Sequence, residues 1–119
     1  MEAINLLDKF QQFNDHWSPK VIGELNGQHV KLAKLKGEFC WHDHANEDEL
    51  FFVVKGTLKI QFRDRDVLLQ PGELCIVPRG VEHNPVAEEE VWIMLFEPAQ
   101  IKHTGEVEHE LTVKHYDRL

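Results

Sequence analysis

His42 and His44 flank Asp43, so two imidazoles stand at i and i+2. On an extended strand that spacing sends both to one face, close enough to share a metal ion. The pair alone is a weak signal, because surface histidines fall at this spacing by chance. Glu49 strengthens it. It opens the apolar run Leu50-Phe51-Phe52-Val53-Val54, and a carboxylate on a buried face is costly unless paired or bound to a metal. The polar stretch Ala45-Asn46-Glu47-Asp48 reads as a turn, which would bring Glu49 back beside the two histidines. His83 follows the turn Pro78-Arg79-Gly80 and could reach the same point from another strand. Three imidazoles and one carboxylate suit one divalent transition metal ion: Fe, Mn, Co, Ni, Cu or Zn. A six-coordinate ion so held keeps about two positions open for water, substrate or dioxygen. Its remaining positive charge would favour an anionic or chelating oxygen ligand.

The elements that must position these residues are mostly short strands. Thr57 to Arg63 alternates strictly, with Leu58, Ile60 and Phe62 on one face. Strand signals also cover Val30 to Leu35, Leu50 to Val54, Val67 to Leu69, Leu74 to Val77 and Val91 to Phe96, with Gly and Pro turns between. Strands spaced like this indicate an all-β sandwich or barrel. Residues 3–13 read as an amphipathic helix with Ile4, Leu7, Phe10 and Phe13 on its apolar side. Ser18-Pro19 ends that segment. Glu88-Glu89-Glu90 reads as a solvated loop. In the tail, 99–119, the stretch Glu110 to Tyr116 reads equally as an edge strand or a short helix. The runs 50–54 and 91–96 are apolar on both faces and need a second cover. That cover is the N-terminal helix, the tail or another subunit, and the pattern predicts a homodimer.

With these residues set out, a family resemblance emerges. Gly37-Glu-Phe-Cys-Trp-His42-Asp-His44-Ala-Asn-Glu-Asp-Glu49-Leu-Phe-Phe-Val-Val-Lys-Gly56 resembles the first motif of the cupin superfamily. Gly72-Glu-Leu-Cys-Ile-Val-Pro78-Arg-Gly80-Val-Glu-His83 resembles the second. Fifteen residues separate Gly56 from Gly72, similar to the short spacing of small stand-alone cupins. Two departures are visible. The spacer from Gly37 to His42 is one residue short, and Ala87 stands where an asparagine commonly closes the second motif, while Asn84 directly follows His83. The resemblance implies a double-stranded β-helix, a small jelly-roll barrel with its core at about 25–97 in one domain spanning 1–119. It also implies that His42, His44, Glu49 and His83 are the metal ligands.

Other residues are candidates for the surrounding pocket. Cys40 shares strand parity with the histidines, and Phe51 shares it with Glu49. Arg79, in the turn before His83, would meet an anion, and Arg63 is a weaker candidate. Trp92, Met94 and Phe96 share one face of the last strand, and Met94 is a pocket candidate if that face is inside. Trp41 falls opposite the histidines, as core or interface. His16, His29, His103, His109 and His115 have no partners at ligand spacing and read as surface residues.

Composition sets the outer limits. The chain has 119 residues, 42% hydrophobic and 29% charged, which is ordinary globular composition. Thirteen Lys and Arg against 21 Asp and Glu give a net charge of −8, a poor match to nucleic acid or an anionic membrane surface. No apolar run approaches the ~20 residues of a membrane span. The acidic start of the chain does not resemble a secretory signal, so the expected location is cytoplasmic, with Cys40 and Cys75 as free thiols. The functional expectation is a metal-dependent enzyme, dioxygenase-like or a Lewis acid, acting on a small oxygenated or anionic substrate such as a sugar acid or keto acid. A non-catalytic small-molecule-binding or sensor protein is the alternative. No second buried acid or histidine stands out in the core strands to serve as the base of an isomerase, which tilts the reading toward the first two chemistries.

Overall fold

A computed structural model describes residues 1–99 and 115–119. One short helix, α1 (Leu6–Phe10), precedes seven strands: β1 (Lys20–Leu25), β2 (Gln28–Glu38), β3 (Glu49–Lys55), β4 (Leu58–Phe62), β5 (Asp66–Leu69), β6 (Leu74–Val77) and β7 (His83–Pro98). A two-residue strand, β8 (Asp117–Arg118), closes the chain. The architecture is the expected jelly-roll barrel.

Strand β7 is the spine. Its first residues pair with β4, while its second half is flanked by β2 on one side and β3 on the other. From there β2 leads to β1 and β8, β3 leads to β6, and β4 leads to β5. Two glycines explain sharp features of this path. Asn26 and Gly27, both at positive φ (50° and 75°), form the tight turn from β1 to β2. Gly56, at φ 87°, leaves no room for a side chain: a Cβ there would lie 2.8 Å from the carbonyl oxygen of Glu90.

Alternation sorts the side chains of β7. Val91, Ile93 and Leu95 point inward and join Phe51, Val53, Leu58, Ile60 and Val77 in the barrel core. Trp92 and Met94 point outward, where Phe10, Phe13, Ile22 and Leu32 cover them together with Val54. Phe10 stacks on Trp92 with ring centroids 4.8 Å apart. The N-terminal segment therefore covers part of the two-faced strands. Leu74 and Ile76 of β6 remain exposed.

Several expectations change. The helix is a single turn rather than 3–13. Asn5 caps it, its side chain accepting from the Asp8 amide at 3.0 Å, and the chain leaves the helix at Gln11. Ile4 and Leu7 are exposed while Phe10 and Phe13 are buried: a helix this short is marginal on its own, and aromatic docking decides the conformation. Strand β1 starts before residue 25 and belongs to the sheet. Glu88-Glu89-Glu90 is not a loop but the exposed middle of β7. The tail reading over Glu110 to Tyr116 lies largely outside the described residues.

Candidate metal centre

The histidine pair does not sit on a regular strand. His42 and His44 lie in the irregular stretch between β2 and β3, and only His42 forms a bridge, with His83. That bridge is reciprocal: the His42 amide donates to the His83 carbonyl at 3.0 Å, and the His83 amide donates back at 2.9 Å. A backbone bond from the Gly80 amide to the His44 carbonyl, 2.8 Å, ties the second turn to the first. Glu49 is the first residue of β3 and His83 the first of β7.

These elements bring His42, His44, Glu49 and His83 together, all buried, with one donor atom from each within 4.8 Å of the others. The Nδ1 atoms of His42 and His83 face the carbonyl oxygens of Cys40 and Val81, each at 2.9 Å. A carbonyl only accepts, so Nδ1 carries the proton and Nε2 presents a lone pair, the form a metal requires. The Nε2 atoms of His42 and His44 are buried without a hydrogen-bond partner, an arrangement a cation would satisfy. The Glu49 carboxylate lies 3.4 Å from Nε2 of both His44 and His83, long for a hydrogen bond. Burial and the nearby His83 push His42 down to about 4. Burial alone would raise Glu49, but the two histidines and Glu97 outweigh it and hold its carboxyl well below the usual range. Three imidazole nitrogens and one buried carboxylate within reach of one point are a donor set that fits a divalent transition metal.

The sequence profile of the cupin domain family matches residues 28–97. The chain belongs to the cupin family. This cupin is 35% identical over 80 residues to YdbB, an uncharacterised protein of Bacillus subtilis, a match covering 66% of this chain and 71% of YdbB. A crystal structure of a cupin-2 domain containing protein from Shewanella frigidimarina superposes with a TM-score of 0.80 at 55% identity, covering 81% of this chain and 94% of that one. Over 64 residues, half of the chain, this cupin is 38% identical to an acireductone dioxygenase of Bacillus licheniformis, of which the match spans 36%.

Beside the quartet lies a chamber of about 30 Å³, bordered by Trp17, Phe39, His42, Glu49, Phe51 and Leu95 among others. Phe51 borders this chamber. Of the other three pocket candidates, Arg79 borders an open cleft of about 630 Å³ that Glu49 also lines, and two are elsewhere. Met94 points outward and packs under the N-terminal segment. Arg79 is exposed and clipped to Asp48, which accepts from its backbone amide at 2.9 Å and its Nε at 3.4 Å. Cys40 packs against the core without lining the chamber, its carbonyl orients His42, and burial raises its thiol pKa. Arg63 lies over the Trp41 ring, 3.8 Å from its centroid, and bonds Glu82. Asn84 is fully buried and its amide donates to Glu38 and Gln61, both at 3.0 Å, which secures the strand after His83.

Among the remaining histidines, His16 bonds Glu90 at 2.6 Å and His115 is exposed. His29 is buried, contrary to expectation. His103 and His109 lie outside the described residues. Among the described residues no helix is long and apolar enough to cross a membrane.

The expectation of no second buried acid is overturned by Glu97. It is fully buried and bonds Lys31, itself fully buried, at 2.9 Å. Burial and then the charge of Glu49 push its carboxyl well above the ordinary range, against the pull of Lys31. Its Oε2 makes no hydrogen bond of good geometry. The signal was available: Glu97 extends the inward face of Val91, Ile93 and Leu95, and Lys31 stands two residues from inward-facing Ala33.

Proposed function

We propose that this cupin binds one divalent transition metal ion through His42, His44, Glu49 and His83 and is a metal-dependent enzyme for a small oxygenated substrate, with dioxygenase-type or Lewis-acid chemistry. The observation that carries this reading is the convergence of four buried donor atoms, two of them imidazole nitrogens with no other partner. The partial likeness to a dioxygenase supports the same class. When bound, the ion would supply Lewis acidity and, for a redox metal, access to dioxygen chemistry. The chain's own residues do the rest. The Cys40 and Val81 carbonyls hold two imidazoles in their ligating tautomer. Phe51 and Leu95 give the site an apolar wall that limits water. Glu97 does not border the chamber, so its discovery adds no base facing a substrate.

No Lys or Arg borders the small chamber, but Arg79 lines, with Glu49, an open cleft of about 630 Å³. A preference for sugar acids or keto acids would rest on the charge of the ion and on Arg79. The small chamber is the one observation that favours a second reading, a sensor or binding protein for a compact ligand. Exposed Leu74 and Ile76 support a homodimer, and the two free, half-buried cysteines suit a reducing cytoplasm.

The test is metal content in His42→Ala, His44→Ala and His83→Ala beside the surface control His16→Ala, together with oxygen uptake on a panel of enediols and diols. Loss of metal in the first three alone supports the ligand set, and equal retention in all four overturns it. Oxygen uptake or turnover that disappears with the metal separates an enzyme from a binding protein.

A further inference from the structure

The open cleft that Glu49 borders, about 630 Å³, falls within the roughly 300–1,000 Å³ that small-molecule pockets span. Its floor is a single cross-strand row: Ile76 stands opposite Leu50, and Leu50 opposite Phe96. The neighbours Phe51, Val77 and Leu95 fill the barrel core, so by strand alternation this row faces outward. The cleft therefore has an apolar base three strands wide, to which Phe96 contributes an aromatic ring.

The rim is polar and uncommitted. Asn26 and Gln28 border it from the turn between β1 and β2 and the start of β2, and Asn46 and Glu47 from the loop before β3. Among the described residues, none of these four side chains makes a hydrogen bond or ion pair. Arg79 completes the rim. Asp48 accepts from its backbone amide at 2.9 Å and its Nε at 3.4 Å, which leaves both Nη nitrogens free to donate. Arg79 and Asp48 offset each other and Glu49 is 2% exposed, so Glu47 is the uncompensated charge of the rim. A carboxylate seated here would meet Glu47 and Asp48, and an ammonium would meet Arg79. A hydroxyl both donates and accepts, as the side-chain amides do, and meets neither penalty.

We propose that this cleft is a binding site for a neutral polyhydroxylated ring, a sugar unit. Its apolar face lies on Phe96, Leu50 and Ile76, and its hydroxyl edge bonds the rim amides and Arg79. This goes beyond the metal reading and does not need the ion: the cleft and the small chamber share Glu49 alone.

The test is titration of the isotope-labelled full chain, metal-free and Zn²⁺-loaded, followed by amide chemical shifts. The probes are the methyl glycosides of glucose, galactose, mannose and xylose. Glucuronate and glucosamine are the charged counterparts, titrated into the metal-free chain. The expected result is saturable binding of at least one neutral glycoside to both forms. The amides of Leu50, Ile76 and Phe96 shift, while those of Lys59 and Leu68, which border a separate groove, do not. Gln28→Ala and Arg79→Ala each weaken binding about fivefold, the loss of one hydrogen bond, at an unchanged melting temperature. No binding by any of the four glycosides, as when a second copy covers Ile76, overturns the proposal. So does tighter binding of either charged sugar to the metal-free chain, which would make charge the selector. Binding that appears only with Zn²⁺ also overturns it, because the ligand would then be held by the ion. Failure to load Zn²⁺ counts against the metal site and leaves the metal-free result standing.

Discussion

At the scale of single residues, ionisation states are set by burial and by neighbours. His42 titrates at about 4 against an ordinary 6.5. The unfolded chain therefore takes up a proton in this window that the fold refuses, so His42 destabilises the metal-free protein as pH falls from about 6.5 to about 4. The full cost is roughly 3 kcal/mol. Glu97, raised by burial and by Glu49, acts in the opposite sense: the fold keeps a proton that the unfolded chain loses, so stability falls as pH rises past the usual carboxylate range. Urea denaturation of metal-free parent and His42→Gln at several pH values isolates the histidine, and a stability difference that does not change with pH would sink its assignment. The Lys31–Glu97 pair gives a second expectation. Glu97→Leu strands a buried ammonium and should cost about 3–5 kcal/mol, while Lys31→Met with Glu97→Leu should recover most of it. A double variant no more stable than the single one would show that the pair contributes by packing alone.

Elements show where reading the sequence succeeds and where it stops. The alternation of Leu58, Ile60 and Phe62 and the two glycine-bounded motifs were enough to place β4, the barrel and the four converging residues. Local periodicity carried β4, where the burial of Leu58 and Ile60 agrees, while the family resemblance of the two motifs carried the barrel and the quartet. Three features were not legible. The face carrying Trp92 and Met94 points outward and is covered by the N-terminal aromatics, which no local pattern states. The apolar spacing of Ile4, Leu7, Phe10 and Phe13 suggested three turns, but only the last two residues find a surface to bury against. Trp17 was not legible because its place in the chamber wall depends on a stack with Phe39, 22 residues away in the chain. Phe10 is the anchor of the outer cluster, fully buried and stacked on Trp92. Phe10→Ala should cost about 3–5 kcal/mol in equilibrium unfolding while leaving metal content intact. Loss of metal alongside would tie the helix to the site.

For the whole molecule, the proposed metal site would link metal binding to folding. Residues from the loop between β2 and β3, from β3 and from β7 meet at the quartet. An ion bound only by the folded chain stabilises it by RT ln(1 + [L]/Kd), about 2.7 kcal/mol at a hundredfold excess over Kd. Chelation should therefore lower the melting temperature of the parent and leave that of His83→Ala unchanged. An equal drop in both would mean the chelator acts elsewhere.

The paired backbone bonds between His42 and His83 have a consequence for how the centre assembles. The same two residues proposed as ligands also stitch the loop to the spine strand, so in the proposed site seam and coordination sphere would form or fail as one unit. Such a coupling is reciprocal: whatever tightens that stitch, even far from any donor atom, would sharpen the grip on an ion. Metal retention in a barrel of this size would then be tunable without touching a ligand, by editing the neighbours of two peptide groups.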